Sequence, residues 1–554
     1  MKTQLLHTSV ILVLSALMWW PAMYGQAVYD DVLTLERDPS MRSLALGELI
    51  GTPFFRAHLG YWRPLSSLTL ASAYQGGMSM VHLMAIAAHT GAAITIRSIV
   101  ATSLAAPPLT ATACAALFLL HPVQVEAVAW ASAAPEVLAG LLALLALRSA
   151  LSPRASHAWL ALSLTGALFA KESALAIVPA LLLADAWARG RMSQQRPGAK
   201  LWITLAAAVA VWAAARYAVV GSVVWNQNVP GVATLLLGGA EVWINQLLLV
   251  LWPTDLTPFR CCPTTASDAG WAWLLLALIA LVAAAVVCRR FRQARWQLAL
   301  ALCPAAVPAI VWWTLGEFCV QDRYSYLCVG GVCCLLGWGL RTQRWAWTVL
   351  AAALALGVAT QRQCLVWRDQ GHLVAHALQM APHLATVQAM AGDHFLEQAR
   401  MGGQGALPRA RKHYEQALTS SFPAAPSLQR ERRAAIWSGL GWVTLLDAST
   451  QMPRDIDLVT ALFRKAIAAH DQVASGWVGL GVANAMAGRH EAAARALRTA
   501  ISVDATSPEA WYNLGYLQWT MGQAAEARGS LRKALHYNPD FTEARQMLVE
   551  IRGR

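Results

Sequence analysis

The chain has 554 residues, of which 57% are hydrophobic and only 13% charged, with a mean hydropathy of +0.43 and a formal net charge of +13. A soluble chain carries about 25% charge, so this composition excludes an ordinary soluble domain and, with its repeated long apolar runs, indicates a polytopic membrane protein. The basic excess is then explained by cytoplasmic Lys and Arg before any nucleic-acid partner, and ten cysteines without a Cys-x-x-Cys support neither a zinc ribbon nor a redox motif.

The first apolar run, Leu5 to Met23, follows a single Lys2. A cleaved signal peptide is one reading, with Ala22 to Ala27 as its processing region; Trp19-Trp20, placed as an interfacial anchor, favour a retained first span. A long loop follows, residues 24–77. It carries Val28-Tyr29-Asp30-Asp31 near its start and Tyr61-Trp62-Arg63-Pro64-Leu65 towards its end. Adjacent acids at a membrane face repel, so they ask for a cation, an acceptor proton or a metal; a hydrated loop bearing two acids is the plainer alternative.

Further spans are expected at 78–96, 104–120, 133–150, 157–170, 173–188, 200–220, 271–288, 297–314, 325–340 and 345–360. The basic clusters (Arg148 with Arg154, Arg189 and Arg191 through Lys200, Arg289 through Arg295, Arg341 with Arg344) should all face the cytoplasm. They do so only if 239–252, a short stretch carrying Glu241 and Asn245, is re-entrant or interfacial. The expected fold is therefore all-α: a bundle of about 11 spans with its C-terminus outside.

That topology collects Asp30, Asp31, Arg63, His121, Glu126, Lys171, Glu172, Glu317, Asp322 and Arg323 at the outer ends of spans. Charge at such depth is costly and faces a cavity. Outer Arg63, Lys171 and Arg323 run against the positive-inside pattern and suggest an answer to a negative ligand. Internal ion pairs are the competing reading, Lys171 with Glu172 or Glu126 and Arg323 with Asp322 or Asp30, and they do not exclude a ligand. His82 and His89 lie seven apart in one span and are expected to pack or hydrogen-bond there, so a metal on His121, Glu126 and one of them is the weaker alternative. Cys261-Cys262 and Cys319 fall in loops placed outside, where a disulfide can form.

After Arg362 the apolar runs stop and charge rises. Residues 363–384 read as a linker helix. Repeats follow over 385–554 at a period of 34 residues. Trp477, Leu480, Gly481, Gly488, Ala493, Leu497 and Ala500 recur as Trp511, Leu514, Gly515, Gly522, Ala527, Leu531 and Ala534, with Pro539 closing the second unit; 474–507 and 508–541 are the clearest units. Trp437, Leu440 and Gly441 open an earlier unit that reaches Phe463 after an insertion of about six residues, and a degenerate unit runs from Ala385 to Thr419. This is the tetratricopeptide pattern, an α-solenoid that holds a partner protein.

The order Tyr29-Asp30-Asp31, Trp62-Arg63-Pro64-Leu65, Leu120-His121-Pro122-Val123-Gln124-Val125-Glu126-Ala127-Val128-Ala129-Trp130, Lys171-Glu172, Asp322-Arg323-Tyr324 and Trp367-Arg368-Asp369, followed by the repeats, resembles the transmembrane and tetratricopeptide-repeat protein O-mannosyltransferases and their bacterial relatives. The resemblance implies a GT-C-like transmembrane domain over 1–362. It also implies an inverting transfer of a sugar, mannose or another hexose, from a polyprenyl phosphate to a hydroxyl of a polypeptide held by the repeats. In that scheme Asp30 or Asp31 is the general base, Arg63, Lys171 and Arg323 bind the donor phosphate, and His121, Glu126, Glu172 and Asp322 support them. No metal ligand set and no phosphate-binding glycine loop is indicated; the partners implied are a lipid-linked sugar, membrane lipid and a protein acceptor. The chain departs from the family in having Gln124 in place of a second His, Ala133-Ala134-Pro135-Glu136 in place of an Arg-containing stretch, and Asp322 in place of Glu. A bacterial inner membrane, with the repeats outside, is the expected location. A non-catalytic membrane scaffold for envelope assembly is the alternative function.

Overall fold

Long apolar runs fold as helices because a helix satisfies its own backbone groups where water is absent. The structure, a computed structural model, describes residues 2–54, 61–152, 156–190, 198–221, 230–262, 268–315, 317–340, 343–422, 426–448 and 456–553. Arg154, Arg191 and Arg341, used above for topology, lie outside these. The protein is almost wholly helical. One departure from the all-α expectation is a two-stranded antiparallel ribbon, Arg260–Cys261 with Phe318–Val320, which pairs Arg260 with Val320. All ten cysteines are free thiols.

Two compact units are present, residues 1–36 with 40–373, and residues 37–39 with 374–554. In the first, nine helices among the described residues are long and apolar enough to cross a membrane, or ten if the bent pair Pro108–Leu119 and Pro122–Ala129 counts as one span. This falls short of the eleven expected. His157–Ala170 and Tyr326–Gly339 have only 14 residues each, below the length of a straight span. The stretch 239–252 also differs from expectation, since it ends Val232–Leu251, a helix of 20 residues that meets the length and apolarity of a span. Asn245 does not interrupt it because its side-chain amide donates back to the Glu241 carbonyl at 2.8 Å.

The bent pair turns by 48°. Pro122 removes a backbone donor and drives His121 into extended backbone, at φ −75° and ψ 122°. The carbonyls freed by the break find side chains instead. Leu119 O accepts from Trp19 Nε1 and from the His89 ring, each at 3.1 Å, and Leu120 O accepts from Thr360 Oγ1 at 2.7 Å. His121 is buried at the break, its Nδ1 accepting from the Val123 amide and its Nε2 meeting Val250 O at 3.1 Å. These bonds hold a helix end inside the bundle.

In the second unit, four helix pairs follow one another: Ala385–Arg400 with Ala406–Thr419, Pro426–Ala448 with Ile456–Ala469, Ala474–Met486 with His490–Val503, and Pro508–Thr520 with Ala524–Tyr537. Thr542–Gly553 covers the last pair, burying Ala544, Met547, Leu548 and Ile551. In each pair a glycine of the first helix admits a large side chain of the second: Gly392 and Tyr414, Gly441 and Phe463, Gly481 and Leu497, Gly515 and Leu531. A Cβ at Gly441 would come within 2.6 Å of the Phe463 ring, so only glycine lets the helices close.

Candidate functional site

The acid pair sits where the first span gives way to the loop. Tyr29 adopts φ +53°, a conformation that non-glycine residues rarely hold, and its amide donates to Gln370 Oε1 at 3.0 Å. The turn that follows separates the two carboxylates. Asp31 is fully buried and accepts from the Ser132 amide at 2.7 Å, the Ser132 hydroxyl at 2.5 Å and the Val28 amide at 3.2 Å. Asp30 is half-buried. Burial pushes the Asp31 carboxyl up to about 7, the Ser132 and Val28 donors hold it from rising further, and the charge of Asp30 adds to the rise. Thr34 extends the network, its hydroxyl 2.7 Å from Ser132 Oγ.

An aromatic wall stands over this turn. The Tyr29 ring lies 5.8 Å from Trp130, which stacks on Trp367 at 5.3 Å and 15°. Arg323 lies over Trp130 at 4.9 Å and over Tyr324 at 5.1 Å, and Lys171 over Tyr324 at 5.0 Å. Arg63 lies over Tyr61 at 4.5 Å. Ser66 ties the Pro64–Tyr74 helix to the end of His157–Ala170 by donating to Ala170 O at 2.8 Å, which brings Arg63 beside Glu172.

The predicted cations are each paired, but not as expected. Arg63 forks onto Glu172, Nε to Oε2 at 3.0 Å and Nη2 to Oε1 at 2.5 Å. Lys171 pairs with Glu136 rather than with Glu172 or Glu126. Arg323 pairs with Glu126 rather than with Asp322 or Asp30. Asp322 instead takes Arg260 at 2.6 Å. Chain neighbours such as Lys171 and Glu172 diverge because Lys171 is extended, at φ −160° and ψ 132°, while Glu172 starts a tight helical turn. His121 caps the broken helix, and its ring bonds go to backbone rather than to the acids or cations of the cluster.

Sequence reasoning misses Ser132, Glu136, Arg216 and Arg260 as members of the cluster. Glu136 stands out in the sequence only as the end of the stretch that departs from the family. Arg260 is positioned by the β-ribbon, which no run of residues announces. Arg216 carries a usable signal, a lone cation near the end of an apolar span. Among the described residues, no three His, Cys, Asp or Glu side chains converge to hold a metal ion.

Comparison with known proteins adds the second unit's identity. The tetratricopeptide repeat family matches residues 484–551, so the chain carries tetratricopeptide repeats, a protein-interaction scaffold, behind a set of apolar helices compatible with membrane insertion. No curated protein matches the chain. Solved structures similar to it include TTC0263, a thermophilic TPR protein of Thermus thermophilus, at 15% identity over 36% of this chain and 95% of that one, with a TM-score of 0.27. MamA is 22% identical over 30% of this chain and 82% of its own, with a TM-score of 0.22. YrrB, described as a TPR protein with an unusual peptide-binding site, is 18% identical over 35% of this chain and 87% of its own, with a TM-score of 0.22.

Proposed function

We propose that the first unit is a membrane glycosyltransferase that moves a sugar, mannose or another hexose, from a polyprenyl phosphate to a hydroxyl of a protein acceptor. The observation that supports this most is the division of the two acids. Asp31 is locked by Ser132 and pushed up to about 7 by burial, while Asp30 beside it is only half-buried. In this reading the acceptor oxygen attacks the anomeric carbon, the bond from that carbon to the phosphate oxygen breaks, and the electron pair leaves with the phosphate. The hydroxyl proton passes to Asp30. Ionised Asp31 raises the basicity of Asp30, and the pair titrates as a unit. Cations in a dry site stabilise the charge that develops on the phosphate, and the Arg63, Lys171 and Arg323 cluster supplies them. The resemblance of the sequence motifs points the same way.

The repeats would hold the acceptor polypeptide. The chain leaves the bundle beside the acid pair, where Trp367 stacks on Trp130 and Gln370 accepts from Tyr29. With Val232–Leu251 entering the membrane without crossing it, the positive-inside pattern puts both the acid pair and the repeats on the extracytoplasmic face of an inner membrane; a crossing helix would instead put Arg289 to Arg295 outside.

A second reading is a non-catalytic scaffold in which a bundle of transferase descent anchors the repeats. The family match to the repeats and the neutralised state of Arg63, Lys171 and Arg323 favour it. Membranes holding the full chain separate the two. The transferase requires that Asp30→Asn abolish sugar transfer while abundance persists. The scaffold requires that Asp30→Asn behave as wild type and that loss of 370–554 remove the phenotype.

A further inference from the structure

Four acid–base pairs, each with at least one buried member, cancel in the cluster: Arg63 with Glu172, Lys171 with Glu136, Arg323 with Glu126 and Arg260 with Asp322. Arg216 does not share in this. It lies four residues before the end of the Ala199–Val220 helix and is 2% exposed. Its Nε and Nη1 are sealed from solvent and have no hydrogen-bond partner among the described residues. It lies within electrostatic reach of Glu172, Arg63 and Tyr61. Tyr61 is in turn within electrostatic reach of Arg63, Arg216 and Arg323, which puts Arg216 in the same neighbourhood as these cations.

An unpaired guanidinium in a membrane span is costly, and such groups mark ligand or ion sites. Glu172 does not answer it: its carboxylate is forked by Arg63, and neither Nε nor Nη1 of Arg216 donates to it. The planar guanidinium of Arg216, with open donors on Nε and Nη1, suits the oxygens of a phosphate. Resting on the transferase reading, we infer that Arg216 is the principal phosphate-binding residue of the site: its open guanidinium donors take the phosphate of a prenyl-phosphate ligand, while the paired cations fix the shape and field around it. The phosphate replaces the missing partner.

The test uses the full chain in phosphatidylcholine nanodiscs, which offer no net anionic lipid. Farnesyl phosphate, farnesol and inorganic phosphate are titrated by calorimetry against wild type, R216K and R216Q, with melting recorded without ligand. Wild type should bind farnesyl phosphate, R216Q should lose at least tenfold in affinity, and R216K should fall between them. Farnesol should not distinguish the variants. Saturable binding of inorganic phosphate, lost in R216Q, would show that the site recognises the phosphate itself, whereas binding of farnesyl phosphate alone would show that headgroup and chain are both needed. A residue with only a structural role would lower the melting temperature when replaced; an unpaired buried cation predicts that R216Q melts no lower than wild type. If R216Q binds farnesyl phosphate as wild type does, Arg216 is not the anchor and the transferase reading survives. If wild type binds neither farnesyl phosphate nor inorganic phosphate, the inference and that reading fall together.

Discussion

Ser132 donates to Asp31 twice, through its amide and its hydroxyl, and both bonds favour the ionised carboxylate. Removing the hydroxyl in Ser132→Ala should raise the Asp31 carboxyl above its value of about 7. If transfer depends on ionised Asp31, activity rises with pH through that value, and the acidic limb of Ser132→Ala should move to higher pH by about one unit. A pH–rate profile checks this, and a downward or absent shift counts against it. The folded-state value lies above the ordinary carboxyl value of 3.8. Asp31 therefore contributes stability below about pH 4 that is lost as pH rises through about 7, and Asp31→Asn should flatten melting temperature over that window. Glu136→Gln should cost about 3–5 kcal/mol, because it leaves Lys171 buried without its partner; denaturation in detergent reads that loss. At this scale the sequence exposes the residue types but not the pairs. Arg63, Lys171 and Arg323 stand out as outer cations, whereas their partners are fixed by helix ends that meet only in the fold. Ser132 gives no signal, since a serine between alanines looks like any small residue of a span.

The broken helix joins the site to the rest of the bundle. Pro122 makes the break legible, and the residue before it is extended as proline chemistry requires. The answering donors are not legible, because Trp19, His89 and Thr360 come from three distant segments. Thr360→Val keeps the shape and strands Leu120 O, so it should cost about 1–3 kcal/mol, seen as a lower melting temperature; an unchanged value would mean that the carbonyl finds another donor. The repeats are legible in detail, because each glycine and its facing large residue are set by short-range spacing. Gly441→Leu should lower the melting temperature of the repeats as followed by far-ultraviolet circular dichroism, since the new side chain meets the Phe463 ring. The ribbon that places Arg260 is not legible: two strands of two and three residues carry no periodic signal.

For the whole molecule, the apolar helices and the repeat array are both apparent from composition and period, while the exact number of spans is not. Glu241 and Asn245 make 239–252 look too polar to cross, yet the helix from Val232 to Leu251 is continuous. With that helix not crossing, the charge pattern predicts that an alkaline phosphatase fusion after Arg362 is active, reporting an outer location; an inactive fusion would mean that Val232–Leu251 crosses and would remove access to a donor presented outside. The central claim is sugar transfer itself, and the most direct measurement is in membranes given labelled polyprenyl-phosphate mannose or glucose with an extracellular protein fraction. Label should reach protein with wild type and fall by about 10²-fold or more with Asp30→Asn at equal abundance. Transfer by Asp30→Asn equal to that of wild type, or no transfer by wild type from any lipid-linked hexose, would contradict it.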